Sequence, residues 1–140
     1  MRIRSFQLSD YRSVAELLEE VLSEEGCEET MGAFARQLSW DSDLILVAES
    51  EGQIAGVLIG TIDKQKGYVY RIAIYEQFRG QGFGRELVSS MGKRFRERKI
   101  QRMLIAVDEH NERLRPFYEA LGVGLSDFAQ PKQPLAIVAG

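Results

Sequence analysis

Arg79-Gly80-Gln81-Gly82-Phe83-Gly84 lies between an apolar run, Tyr68 to Ile74, and an amphipathic stretch from Phe83 to about Arg98. Strand, glycine turn and helix start, in that order, build an anion site. Glycines let backbone N–H groups approach a phosphate closely, and a helix N-terminus adds partial positive charge. The stretch therefore predicts a phosphate-bearing ligand. Two familiar loops fail on spacing. A Walker loop needs Lys-Ser or Lys-Thr after its last glycine, and none follows here. A dinucleotide fingerprint needs G-x-G-x-x-G, whereas Gly80, Gly82 and Gly84 run G-x-G-x-G. It also needs an acidic residue about 20 positions on, where Arg102-Met103-Leu104 stands.

The pattern that remains is [RQ]-x-x-G-x-G, met by Arg79, Gly82 and Gly84. A second motif follows one helix and one strand later: Asn111-Glu112-Arg113-Leu114-Arg115-Pro116-Phe117-Tyr118-Glu119-Ala120-Leu121-Gly122. Together, and in this order, the two resemble the acetyl-CoA loop and the N-x-x-A-x-x-F-Y-x-x-x-G segment of the GNAT superfamily of N-acetyltransferases. Leu114 departs from the small residue usual there, and Val123 from the usual aromatic. The tail beyond Gly124 matches no pattern.

The order of elements read from the chain agrees with that resemblance. Ile3 to Gln7 reads as a first strand. Ser9 or Asp10 is expected to cap a helix whose apolar face is Val14, Leu17, Leu18, Val21 and Leu22, with Gly26 ending it. Thr30 is expected to cap a shorter second helix. Three strands follow, Leu44 to Glu49, Ile54 to Ile62 and Tyr68 to Ile74, joined by tight turns as an antiparallel meander. The long helix buries Leu87, Val88, Met91 and Phe95. Met103 to Val107 is a strand parallel to Tyr68–Ile74, because a helix connects them. The Asn111 segment predicts a helix from Glu112 or Arg113, with Pro116 in or beside its first turn, and Leu135 to Val138 a last strand. The expected fold is α/β (α+β): one domain over residues 1–140, with a mixed, mostly antiparallel sheet flanked by helices and a central parallel strand pair.

Composition bounds the function. The 140 residues fit one domain, and 44% apolar content suffices for one core. A net charge of −3 gives no reason to expect nucleic acid, and Lys93, Arg94, Arg96, Arg98 and Lys99 read as a solvated helix face. One cysteine, Cys27, cannot form an internal disulfide. Met1-Arg2-Ile3-Arg4 lacks a signal-peptide core and no run has transmembrane length, so the expectation is a cytoplasmic protein with no membrane partner. The single histidine, His110, reads as a surface residue in a turn, and metal ligands are not clustered.

The resemblance assigns roles. Acetyl-CoA would be the cosubstrate, with no metal. Its pyrophosphate would rest on the backbone of Arg79, Gly80, Gln81, Gly82, Phe83 and Gly84. Its pantetheine arm would pair with the backbone of Ile72, Ala73 and Ile74 and reach Asn111, which otherwise reads as a helix cap. Tyr118 would donate a proton, or a hydrogen bond, to the departing thiolate. Acetyl would pass directly to a primary amine of a small molecule, peptide or protein. The alternatives are a CoA- or acyl-CoA-binding sensor without turnover, and a nucleotide-binding module. The acceptor is unread, although Arg71 is a candidate to recognise a carboxylate or phosphate on it. A homodimer is left open. Some family members carry a glutamate as base at the position of Ala106, others at one near Tyr68, and no carboxylate stands at either place here. Glu49, Asp63, Glu76 and Asp108 remain, and none is expected to be indispensable. The rate is then expected to climb toward the amine's own pKa.

Overall fold

The computed structural model describes residues 1–100 and 102–122, and the backbone of the short strand 128–129. The elements are β1 (Arg2–Ser5), α1 (Tyr11–Val21), α2 (Glu24–Trp40), β2 (Ile45–Ser50), β3 (Gln53–Asp63), β4 (Lys66–Ile74), α3 (Phe83–Glu97), β5 (Met103–Ala106), α4 (Glu109–Arg113), α5 (Arg115–Ala120) and β6 (Phe128–Ala129). They form one sheet in the order β1-β2-β3-β4-β5-β6. Pairing is antiparallel from β1 to β4 and parallel from β4 through β5 to β6. The expected strand Leu135–Val138 lies outside the described residues.

Each face of the sheet is covered by its own apolar cluster, because side chains alternate along a strand. Leu44, Leu46, Ala48 and Leu58 pack with Leu87, Met91, Phe95 and Tyr118 from α3 and α5. Ile45, Val47, Val57 and Ile59 pack with Val14, Leu17, Leu18 and Phe34 from α1 and α2. A fully buried Val or Leu contributes about 1.5–3 kcal/mol over an exposed one, so β2 and β3 anchor the fold from both sides.

Three local expectations are corrected. Gly26 does not end α1, which stops at Val21. Ser23 instead caps α2 by accepting the Gly26 N–H, placing Gly26 in the first turn. Thr30 caps nothing; it is buried in the middle of α2, where its hydroxyl accepts from Arg71. The Asn111 helix starts earlier than expected, at Glu109, and Asp108 is its cap. It breaks at Leu114, and Pro116 sits in the first turn of α5, where a missing N–H costs nothing.

Candidate active site

Strands β4 and β5 part company half-way along β4. They pair only over Gly67↔Met103, Tyr68↔Leu104 and Val69↔Ile105. The next residue, Tyr70, is an extra one: Ile59 faces Arg71 and Gly60 faces Val69, so two β3 residues span three of β4. Such a bulge bends and twists its strand, here away from β5. Asn111 is wedged at the fork. Its Nδ2 donates to Tyr70 O at 2.9 Å and to Ala106 O at 2.7 Å, one carbonyl from each diverging strand. Asn111 is fully buried, and its Oδ1 has no partner among the described residues.

Beyond the fork, the edge of β4 that β5 has left is open. Its carbonyls are met by side chains at alternate residues. Tyr70 O takes Asn111, Ile72 O lies 3.3 Å from His110 Nε2, and Ile74 O accepts from Arg79 Nε at 3.1 Å. A cleft of about 460 Å³ runs along this edge. Eight of the ten residues expected to hold the cosubstrate line it: Ile72, Ala73, Ile74, Arg79, Gly80, Gly82, Phe83 and Gly84. Gln81 turns aside to donate to Gln77 O, and Asn111 lies beneath the surface.

The glycine loop is shaped by its backbone. Gly80 and Gly82 adopt φ of +77° and +90°, which a side chain would strain. Gly84 serves packing: a Cβ there would stand 2.8 Å from Phe117 Cζ. Gly82 is the N-cap of α3, and the first intrahelical acceptor, Gly82 O, is used by Glu86 N. The N–H groups of the first turn are left at the cleft, where helix geometry provides for an anion. Arg79 and Arg85 add positive charge to the cleft wall. Leu114, Phe117 and Leu121 line the cleft from within the second motif, whereas Phe78 and Arg85 line it from outside both motifs.

Tyr118 is fully buried against Phe117, with ring centroids 5.1 Å apart, and belongs to the core beneath the cleft. Burial pushes its phenol well above the ordinary tyrosine range. Nearby Arg71 opposes that shift and Asp108 adds to it. The hydroxyl is therefore a protonated group that can donate, not a base.

Arg71 is not an acceptor-binding residue at the surface. It is 1% exposed, and its guanidinium donates to Thr30 Oγ1 at 3.0 Å and to both oxygens of Asp108 at 3.2 and 2.9 Å. It also lies 4.9 Å from the Tyr70 ring centroid. These bonds tie α2 and β4 to Asp108, the cap of the helix α4 that carries His110 and Asn111. Of the four carboxylates considered as bases, Asp108 is thus committed to Arg71 and Glu49 to Arg4. Asp63 ends β3 beside Lys66, at the far end of β4 from the glycine loop, and Glu76 is exposed. None lines the cleft. His110, read from sequence as a surface turn residue, does line it and is half-buried.

Sequence and fold match known proteins over most of the chain. A profile of the acetyltransferase (GNAT) family matches residues 11–123. The chain belongs to the GNAT family. An acetyltransferase of Yersinia enterocolitica is 33% identical over 127 residues, 91% of this chain and 90% of the relative. One of Pectobacterium atrosepticum is 31% identical over 121 residues, covering 86% of each chain. Among solved structures, the PaiA N-acetyltransferase of Thermoplasma acidophilum in complex with coenzyme A shares the fold. Its TM-score is 0.67 at 19% identity, over 85% of this chain and 86% of that one. As a GNAT-family acyltransferase the chain is an enzyme, which sets aside the sensor and the nucleotide-binding module. Among the described residues, no helix is long and apolar enough to cross a membrane.

Proposed function

We propose that this GNAT protein, residues 1–140 acting as one cytoplasmic domain, transfers acetyl from acetyl-CoA to a primary amine. The observation that carries the reading is the open β4 edge. It runs from the fork at Tyr70 to the glycine loop, so one extended arm with a pyrophosphate at its end fits both. In this reading the N–H groups of Gly80 to Gly84 take the pyrophosphate, with Arg79 and Arg85 adding charge. The carbonyls of Ile72 and Ile74 accept from the amides of the arm. The orphan Oδ1 of Asn111 supports a ligand contact at the fork, since an unsatisfied buried acceptor costs about 1–3 kcal/mol.

The neutral amine nitrogen attacks the thioester carbonyl, the C–S bond breaks, the thiolate takes a proton from Tyr118, and the proton shed by the nitrogen restores the phenol, leaving amide and thiol. A buried phenol held above its ordinary pKa of about 10 donates uphill to the thiolate of a thiol of about 8.5, so hydrogen bonding to the developing charge carries most of the effect. Calorimetry with CoA, followed by thiol release from acetyl-CoA against a panel of primary amines, tests the reading. Micromolar CoA binding with amine-dependent thiol release is expected. Absence of both overturns it.

A further inference from the structure

His110 is the one group lining the cleft, among the described residues, that can take up a proton near neutral pH; the other ionisable lining groups are Arg79 and Arg85. Its placement also selects a tautomer. Nε2 lies 3.3 Å from Ile72 O, and a carbonyl can only accept, so Nε2 carries the hydrogen. In a neutral ring Nδ1 is then a bare lone pair, and it makes no hydrogen bond among the described residues. The ring is held from two sides. Asn111, next in sequence, is locked at the fork, and Asp108, two residues back, is locked on Arg71.

We infer that His110 is the general base of the transfer reaction, using Nδ1 to take the proton that the acceptor ammonium must lose. This rests on the acetyltransferase reading above. An alkylammonium gives one proton to Nδ1 and becomes the nucleophile. After attack, the nitrogen loses a second proton, the C–S bond breaks, and the thiolate leaves as the thiol. The imidazolium returns its proton to solvent, so the net products are amide, CoA thiol and one proton. Ile72 O has two lone pairs and can keep His110 while accepting an arm amide. The charges around the ring favour the neutral form. Burial pushes its imidazolium below the ordinary histidine range, and Arg71 on β4 and Arg113 on α4 add to that. The Ile72 carbonyl and Asp108 oppose it. This departs from the expectation, drawn from sequence, of a rate following the amine's own pKa.

His110 is the only histidine, so a ¹⁵N-labelled imidazole gives one set of signals. The ring spectrum of the wild-type protein should show a single Nε2–H tautomer at pH 7 and titrate below the ordinary value of about 6.5. A tautomer mixture titrating like a free imidazole overturns the assignment without any variant. The kinetic arm uses His110→Gln, whose amide can keep the bond to Ile72 O. With acetyl-CoA and n-butylamine, kcat/KM at pH 7 should fall about 10²-fold or more, with CoA affinity within about threefold, a change of under one kcal/mol. With methoxyamine, already neutral at that pH, the variant should keep pace with the parent. The parent's n-butylamine profile should level off near the His110 titration, and the variant's should keep climbing. An equal loss with both amines makes His110 structural and overturns the proposal, as does an unchanged rate with n-butylamine. If the parent itself acetylates no amine while binding CoA, the transferase reading falls and this assignment with it.

Discussion

Asp108→Asn tests whether the Arg71 pair holds the start of α4, which carries His110 and Asn111. The replacement is nearly isosteric and keeps an oxygen to accept the Asn111 N–H, which Asp108 takes at 2.9 Å. What it removes is the charge facing Arg71. The Arg71 side chain is 2% exposed, so it is left buried with Thr30 Oγ1 and the Tyr70 ring as its remaining company. Breaking a buried pair from one side costs about 3–5 kcal/mol, because the remaining charge is stranded. The Asp108 side chain is 28% exposed, which places the expected loss at the lower end, about 3 kcal/mol. Arg71→Met strands the opposite partner, a carboxylate that water reaches, and should cost less, about 1–3 kcal/mol. The double variant should recover part of the loss, since neither charge is then orphaned. Urea unfolding of the four proteins reads these differences directly. Against a typical total of 5–15 kcal/mol, a loss of 3 is measurable without abolishing the fold. CoA affinity should fall as well, because Asp108 caps the helix that holds Asn111 at the fork. A loss below about 1 kcal/mol for Asp108→Asn, or a larger one for Arg71→Met, would refute the reasoning.

Gly82→Asp places a charged side chain where φ is +90° and the cleft expects an anion, so CoA affinity should weaken at least tenfold, about 1.4 kcal/mol, in a folded variant; calorimetry showing unchanged affinity would remove the loop from the site. Tyr118→Phe deletes a buried hydroxyl, and single-turnover transfer should slow about 10²-fold with CoA binding kept; an unchanged rate makes the ring packing only. Gly84→Ala must push Phe117 from a 2.8 Å contact and should cost about 1–3 kcal/mol in thermal or urea unfolding. Asp10 accepts from the Arg4 guanidinium at 2.7 and 2.9 Å and from the Gln7 N–H at 2.8 Å, and the Arg4 bond chiefly holds its carboxyl below the ordinary value. Its folded pKa being depressed, it stabilises above the ordinary value and loses that as pH falls through the folded one. Asp10→Asn should therefore lower stability at pH 7, with the gap closing on acidification; a gap that stays constant from pH 7 to pH 3 would be wrong for this origin.

The sequence alone was enough for whatever depends on short-range pattern. Continuous apolar runs bounded by tight turns placed β2, β3 and β4. The i, i+3, i+4 spacing placed α1 and α3, and a strand–helix–strand order required β4 and β5 to be parallel. The glycine loop was legible because its chemistry lies in consecutive backbone groups. The limits of α2 were not. Thr30 looks like a cap because Ser and Thr favour caps, but burial against an arginine 41 residues away overrode that preference. The fork was equally hidden, since a bulge at Tyr70 is defined only by its pairing with β3. Asn111 illustrates the difference. Its identity marked a helix start, yet its amide is spent on the carbonyls of two diverging strands, and Asp108 does the capping. His110 and Arg71 exchanged the places expected of them, the histidine turning into the cleft and the arginine into the core. Which way a side chain faces after a strand end is settled by partners distant in sequence, and those meet only once the sheet has assembled.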